Sequence, residues 1–509
     1  MDSARLDGVD IGVVGTGTMG AGIAQVAAAA GHRVLLWDSR GDAAEEAHER
    51  VAASLARRVA AGKASEPDRE ALLARLSPVS ELEDLSGCGV VIEAILESLD
   101  EKRALFSDLE RFLMADSLIA TNTSSLSVTA VARYLKNPGR CIGMHFFNPA
   151  PAMKLVEIVR GLATTNAAVE RAEEFVRAWG KTPVRTDSSP GFIVNRIARP
   201  FYAETLWLLH EKRADPNQLD TALRGAGFRM GPCELMDLIG HDVNYAVTTS
   251  MFEAFFADRR FLPSPVQRQL VEGGLLGRKS GRGFYHYPAE EDATKKSAGS
   301  IADSFEAVTI RGAHPTRDSV AAALESAGIL TKSGKGSSPL ELCLDFGTRS
   351  GLTLALTDGR PAGLRRLESG RSDYGVFDLP ANGFQGDLVV AFARDTESHR
   401  RNKCLATLRK AGIRPIEVAD TPGLVVARTV AMLVNEAADA VQQGVCTTED
   451  ADTAMKLGVN YPLGPFEWAE RFGIHYFVSV LEQLRSLVSS ERYRVSPWLL
   501  EKVWSNIHG

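Results

Sequence analysis

At 509 residues the chain is too long for one hydrophobic core and divides, at about 100 to 200 residues per domain, into three or four domains. Hydrophobic residues at 45% and charged residues at 24% are ordinary for a globular protein and exclude a disordered chain. The formal charge of -6 gives the chain as a whole no attraction for nucleic acid or an anionic membrane, and leaves room only for a local basic patch toward phosphates.

The first segment alternates strand-like and helix-like stretches. Residues 9–14 are a short apolar run, a glycine-rich turn follows, and the alanine-rich stretch 21–30 has helix-forming composition and stops at Gly31. Residues 33–37 form the next apolar run and end in Asp38. Further runs at 90–92, 118–120 and 142–147 are separated by charged, helix-like stretches, a pattern that predicts a doubly wound parallel sheet covered on both faces.

After Pro190-Gly191 the stretches 192–210, 215–224 and 241–257 read as helices with no convincing strand between them. This all-α domain closes at the glycine-rich basic stretch 277–285, followed by a charged linker over 290–300. An internal repeat then appears. Asp187-Ser188-Ser189-Pro190-Gly191-Phe192-Ile193-Val194 returns as Asp420-Thr421-Pro422-Gly423-Leu424-Val425-Val426, and Glu204 returns as Glu436. Asp220-Thr221-Ala222-Leu223 and Gly231-Pro232-Cys233-Glu234 return as Asp452-Thr453-Ala454-Met455 and Gly464-Pro465-Phe466-Glu467. The helical domain is therefore present twice. Between the copies, residues 305–415 again alternate apolar runs (340–344, 352–356, 388–392) with helix-like stretches, as a shrunken copy of the first domain would. Its opening around Gly312 has lost the glycine pattern, so no dinucleotide is expected there. The predicted domains are 1–186 (α/β, doubly wound), 187–288 (all-α, first copy), 300–417 (degenerate α/β) and 418–509 (all-α, second copy).

The six cysteines are dispersed, with no C-x-x-C pair, and read as reduced thiols of a cytosolic protein and not as metal ligands. The first eight residues are polar, and no run approaches the roughly 18 apolar residues of a membrane span, so a cytoplasmic location is expected.

Gly15-Thr16-Gly17-Thr18-Met19-Gly20 is a G-x-G-x-x-G sequence placed after a strand and opening a helix. The first glycine permits the tight turn, the second removes a side chain where pyrophosphate meets backbone, and the third lets helix pack on strand. Asp38, at the end of the next strand, stands near the spacing of about 20 residues expected for the acid that bonds the adenosine ribose. A carboxylate there repels a 2′-phosphate and favours NAD over NADP, with Arg40 nearby leaving the choice open. Asn122-Thr123-Ser124-Ser125 and His145-Phe146-Phe147-Asn148-Pro149 follow apolar runs, at the carboxyl ends of strands where an open sheet binds ligands. A lone His there is more often a hydrogen-bonded core residue. Glu157, inside an apolar run, is costly unless paired.

These pieces, together with Glu93-Ala94, Glu97 and Pro190-Gly191-Phe192-Ile193-Val194-Asn195-Arg196, resemble the L-3-hydroxyacyl-CoA dehydrogenase family in order and spacing over about residues 10–287. The doubled helical domain is similar to the longer bacterial members, including those of phenylacetate breakdown that act on 3-hydroxyadipyl-CoA. The resemblance implies NAD as cofactor, an acyl-CoA substrate, and His145 as the base that takes the 3-hydroxyl proton, with Glu157 orienting its ring. It implies Ser124 and Asn195 as donors to the reacting oxygen, for which turn and helix-capping roles are the plain alternatives. It implies cofactor contacts from Gly15, Gly17, Thr18, Met19, Gly20, Asp38, Glu97, Lys102 and Asn122, with Glu97 and Lys102 otherwise reading as a surface helix face. Ser54, Lys63 and Asn148 fall near coenzyme A positions, where a solvated basic helix is the alternative. No metal is implied. Where the first helical copy has Asn195-Arg196, the second has Ala427-Arg428, the pattern expected of one active site per chain. The second copy then serves structure, mimicking the pairing that shorter members obtain by dimerising, and a homodimer through the helical domains stays open. Two other functions remain: a β-hydroxyacid dehydrogenase acting on a free acid, disfavoured by the lack of lysine in 192–210, and an inactive NAD-binding homologue like the related lens crystallin.

Overall fold

The computed structural model describes residues 6, 8–288, 304–336, 340–344 and 351–505, so the expected linker over 290–300 lies outside the described residues. The chain forms two compact units, one of residues up to Arg196 together with Gln443–Val459, the other of Ile197–Gln442 with Asn460–Gly509.

The first unit is a Rossmann-type domain built on eight strands: β1 (Ile11–Val14), β2 (Val34–Trp37), β3 (Leu76–Pro78), β4 (Val90–Glu93), β5 (Leu118–Thr121), β6 (Cys141–Phe146), β7 (Leu155–Arg160) and β8 (Thr182–Asp187). Their order is β3-β2-β1-β4-β5-β6-β7-β8. The central strands are apolar on both faces because helices cover both: Val13 enters one core with Ala24, Ile92 and Phe175, and its neighbour Val14 enters another with Val91, Phe106 and Ile119. The chain runs outward from β1 to β3 and returns through β4 on the other side of β1, which opens a crevice at the carboxyl ends of β1 and β4.

Two strands, β7 and β8, depart from the all-parallel expectation. β6 and β7 are antiparallel, while β7 and β8 are parallel to each other. Only residues 147–154 connect β6 to β7, too few for the helical crossover that a parallel return requires, so the chain folds straight back. The same register sets His145 directly opposite Glu157.

Helix Thr448–Val459, part of the second helical copy by sequence, packs on β7 and β8 of this first unit. The N–H of Asp187 on edge strand β8 donates to the carbonyl of Val445 at 2.9 Å. At Gly458 a Cβ would come within 2.8 Å of the Leu155 side chain and 3.0 Å of the Val194 side chain, so the glycine lets the helix lie close against both and a larger residue would have to push them aside.

The second unit holds the rest of both helical copies and a seven-stranded sheet. The predicted helix over 192–210 is two helices, Val194–Ile197, which ends at the boundary of the first unit, and Arg199–His210 in the second, because Pro200 has no N–H with which to continue the ladder. Helices Pro216–Gly225, Pro232–Ile239, His241–Ala254 and Pro265–Glu272 complete the first copy. The sheet comprises β9 (Ala307–Arg311), β10 (Leu330–Ser333), β11 (Glu341–Leu344), β12 (Leu352–Leu356), β13 (Asp373–Phe377), β14 (Gly386–Phe392) and β15 (Ile413–Glu417), in the order β10-β9-β11-β12-β13-β14-β15. β9 and β10 escaped the apolar-run reading because β9 is buried only at alternate residues and β10 is an edge. Among the described residues no helix is long and apolar enough to cross a membrane.

The repeated helices Arg199–His210 and Val426–Gln442 pack on each other, and residues 426–440 of the latter are all buried. Between them Glu204, wholly buried, accepts from Arg428 Nε at 2.6 Å, Arg492 Nη2 at 2.7 Å and the Tyr493 hydroxyl at 2.9 Å. Glu436, its counterpart in the repeat, takes Arg260 at 3.2 Å, which also binds Asp439. Burial alone would raise the Glu204 carboxyl, but Arg492 and Arg428 outweigh it and hold the group below its ordinary value. Its stabilisation is therefore complete above the unfolded value of about 4.3 and is lost as pH falls through the depressed folded value. Glu204→Ala strands two buried guanidinium groups and is expected to lower stability by roughly 3–5 kcal/mol, read as a fall in the urea midpoint at neutral pH.

Candidate active site

The glycine loop joins β1 to helix Thr18–Ala29. Gly15 has φ +86°, and a Cβ there would lie 2.8 Å from the Ala94 carbonyl; at Gly20 it would come 1.8 Å from the Gly15 carbonyl oxygen. These two glycines are dictated by close packing of loop, helix and β4. Gly17 differs, since a Cβ there would meet nothing within 4 Å. Its missing side chain keeps open the space in front of the helix, where Gly17 and Thr18 are exposed and Met19 half-buried. The helix has no side-chain cap and no acid in its first turn, so its N–H groups and dipole suit a diphosphate.

Asp38 closes the far side of this loop. Its Oδ2 accepts from Thr16 N at 2.8 Å and stands 3.0 Å from the Thr16 hydroxyl, and its Oδ1 accepts from Arg40 N at 3.1 Å. Burial works to raise its pKa, but the bonds from Thr16 and Arg40 and the Arg40 charge outweigh burial and keep it below the ordinary aspartate value. A fixed anion at the end of β2 suits ribose hydroxyls. Thr16 was not singled out from sequence; its place in the loop, one residue after the first glycine, was the available signal.

His145, near the end of β6, is only 8% exposed at its side chain. Its Nδ1 lies 2.6 Å from Glu157 Oε2. Glu157 is fully buried, and its Oε1 accepts from the N–H groups of Ile193 and Val194, each at 2.9 Å. The carboxylate is thus spent completely: one oxygen holds imidazole, the other holds the start of helix Val194–Ile197, which carries Asn195. Phe192, just before, has φ +48°, a costly conformation for a bulky residue, and its buried ring packs edge-on 5.8 Å from the imidazole. Phe147 covers the imidazole at 4.5 Å. With Nδ1 bound to a carboxylate the ring proton resides there, which leaves the lone pair at Nε2.

Asn122, after β5, accepts from Phe146 N at 2.8 Å and so pins the strand end beside His145. Glu97 Oε1 accepts from the Thr123 hydroxyl (2.6 Å), Ser124 N (3.0 Å), Ser125 N (3.1 Å) and the Ser125 hydroxyl (2.9 Å), clamping the loop on which Ser124 is exposed. Burial favours a higher Glu97 pKa, but these donors and Lys102 outweigh it and keep the value low. Lys102 does not lie on a surface helix face: its side chain is 1% exposed, 2.5 Å from buried Glu93 and 3.3 Å from Glu97. Helix Leu99–Leu109 turns this lysine inward because Glu93, at the buried end of β4, needs a cation. Ser54 lies half-buried on helix Ala43–Ala60, Lys63 is exposed just beyond that helix, and Asn148 is exposed after β6. Among the described residues no hydrogen bond or ion pair joins these three to one another or to His145.

The second sheet offers an internal comparison. Gly143 on β6 stands opposite Val159, and Gly375 on β13 stands opposite Phe392. Two positions on, His145 faces Glu157 in the first sheet, whereas Phe377 faces Val390 in the second. The helix after β15 is still anchored by a carboxylate, but Asp378 supplies it, accepting from the N–H groups of Val425, Val426 and Ala427 at 2.7–2.8 Å. Leu424, the counterpart of Phe192, keeps a positive φ of 51°. The anchoring of the helix survives in the second copy, and the imidazole–carboxylate pair is replaced by two apolar side chains.

A model of the 3-hydroxyacyl-CoA dehydrogenase NAD binding domain matches residues 10–189, and a model of the C-terminal domain of 3-hydroxyacyl-CoA dehydrogenase matches 191–287 and again 423–509. Residues 354–422 match the 3-hydroxybutyryl-CoA dehydrogenase reduced Rossmann-fold domain. The 3-hydroxyadipyl-CoA dehydrogenase of Escherichia coli (strain K12) is 42% identical over 487 residues, 95% of each chain. A crystal structure of 3-hydroxybutyryl-CoA dehydrogenase from Escherichia coli K12 superposes with a TM-score of 0.87 at 42% identity, covering 98% of this chain and 99% of the other. A shorter relative, the 3-hydroxybutyryl-CoA dehydrogenase of Bradyrhizobium diazoefficiens, is 40% identical over 54% of this chain and 94% of its own length. With every domain matched in order and the identity sustained along almost the whole length, the chain belongs to the 3-hydroxyacyl-CoA dehydrogenase family of NAD-dependent oxidoreductases.

Proposed function

We propose that this enzyme oxidises the 3-hydroxyl of an (S)-3-hydroxyacyl-CoA, of the 3-hydroxybutyryl or 3-hydroxyadipyl type, through a single acid/base pair, His145 and Glu157. The observation that carries this reading is the 2.6 Å contact between His145 Nδ1 and a buried carboxylate whose other oxygen is already bonded to two backbone N–H groups. Bound NAD supplies the acceptor for the hydrogen that leaves C3 as hydride. His145 Nε2 takes the proton of the hydroxyl as the C3–O bond becomes a carbonyl, and returns it in the reverse direction. Glu157 stabilises the imidazolium that results and keeps the ring in the tautomer that exposes a lone pair at Nε2. Ser124 and Asn195 hydrogen-bond the reacting oxygen and position it. Gly15, Gly17, Thr18, Met19 and Gly20 receive the pyrophosphate, Asp38 the adenosine ribose, and Glu97 and Asn122 border the nicotinamide end. Lys102, being enclosed, acts there only through Glu97. Ser54, Lys63 and Asn148 serve the coenzyme A moiety.

The second copy's Phe377 and Val390, where the first has His145 and Glu157, support one active site per chain. The exposed Ser124 together with the intact His145–Glu157 pair speaks against an inactive homologue.

His145→Ala is expected to lower kcat by about 10²–10⁴-fold while NADH affinity, followed by fluorescence, stays within about twofold; an active His145→Ala overturns the acid/base assignment. Glu157→Gln keeps the shape but loses the charge that stabilises imidazolium, and is expected to lower kcat by about 10²-fold or more with a smaller change in KM. NADH formation should occur with (S)-3-hydroxybutyryl-CoA or 3-hydroxyadipyl-CoA and not with free 3-hydroxybutyrate. Turnover of the free acid alone would refute the thioester reading, and the ratio of kcat/KM for the two thioesters assigns the acyl group.

A further inference from the structure

Glu93 lies at the carboxyl end of β4, has no exposed surface, and is not needed for any step described above. Its Oε1 accepts from Lys102 Nζ at 2.5 Å and from Ile95 N at 2.7 Å, and its Oε2 accepts from the Thr121 hydroxyl at 2.7 Å. Thr121 closes β5, and its oxygen in turn accepts from Thr123 N at 3.2 Å. Lys102 reaches onward to Glu97, whose single oxygen Oε1 gathers the four donors of Thr123, Ser124 and Ser125. Two routes therefore lead from one buried carboxylate to the loop that bears Ser124, one through Thr121 and one through Lys102 and Glu97.

We propose that Glu93 is a positioning residue for the reaction, holding Ser124 at the reacting oxygen through Thr121 and through the Lys102–Glu97 pair. The inference rests on the reading of Ser124 as a ligand of that oxygen. The physical basis is competition for one ammonium group. With Glu93 ionised, Lys102 is neutralised from behind and Glu97 is left to the 123–125 loop. Remove the Glu93 charge, and the buried ammonium has Glu97 as its one carboxylate partner. Glu97 is then drawn toward Lys102 and away from the Ser124 and Ser125 N–H groups. A shift of the loop of about 1 Å is enough to cost on the order of 10²-fold in rate when the displaced group must meet a reacting atom. Burial pushes the Glu93 carboxyl above the ordinary glutamate range, against the pull of Lys102 and Thr121.

The test is a double-mutant cycle with Glu93→Gln and Thr121→Val, each alone and each combined with Ser124→Ala, in the full-length enzyme with (S)-3-hydroxybutyryl-CoA. Thr121→Val removes one hydroxyl and leaves the buried charges paired, so it reports even where Glu93→Gln fails to fold. Each single variant is expected to lower kcat by about 10-fold or more, with KM for the thioester and the NADH dissociation constant within about threefold, and to lower it no further once Ser124 is alanine. Full additivity with Ser124→Ala overturns the proposal, because the two groups then act independently. Loss of NADH affinity with kcat preserved also overturns it, and assigns the network to cofactor binding. An unchanged kcat in Ser124→Ala alone removes the premise about Ser124 and this inference with it, while leaving the His145 assignment to its own test.

Discussion

The site depends on a bond across one antiparallel strand pair. β6 and β7 run in opposite directions because the chain between them is too short to cross the sheet, and this places His145 opposite Glu157. A parallel return would have set different residues side by side and sent the carboxylate elsewhere. The pairing also solves an energetic problem, since a fully buried carboxylate is costly unless paired and hydrogen-bonded. Imidazole takes one oxygen and the backbone of Ile193 and Val194 takes the other. The orientation of the imidazole and the position of the helix bearing Asn195 are thereby set by the same group.

The duplication separates what the scaffold demands from what the chemistry demands. Both copies keep a positive-φ bulky residue after Pro-Gly, and both keep a buried carboxylate at the start of the next helix. In the second copy the carboxylate is the shorter Asp378, just after β13, and serves backbone donors alone; burial lifts it to about pKa 6. Anchoring a helix start is a folding requirement and persists. Presenting an imidazole is not such a requirement, and Phe377 stands at the matching position.

Much of this was legible in the order of residues. The glycine loop, its strand and helix, and Asp38 announce themselves because each answers a local backbone requirement, and local requirements leave local patterns. The repeat exposed the two helical copies without any coordinates. The direction of β7 was not visible, since an apolar run does not state which way its strand points; the shortness of residues 147–154 was the one available sign. β8 and β15 were missed because their sequences, TPVRTD and IRPIE, are too polar to read as apolar runs. Taken alone, Lys102 reads as a surface residue for a similar reason: in LDEKRALFSDL it sits among charges, and only the need of buried Glu93 for a cation marks it as interior. Ser54, Lys63 and Asn148 carry no pattern of their own, and only the resemblance assigns them to coenzyme A.

Gly458 bears on how the molecule comes into being. The helix it ends is separated from the first strands by more than half of the chain, yet it lies against Leu155 and against Val194, whose amide holds Glu157. During synthesis, which proceeds from the amino end, residues 1–196 leave the ribosome long before this helix exists. The nascent sheet must wait with β7 and β8 uncovered until residues 443–459 arrive. Covering these two strands is therefore a late event in the birth of this polypeptide, even though the strands themselves are translated early.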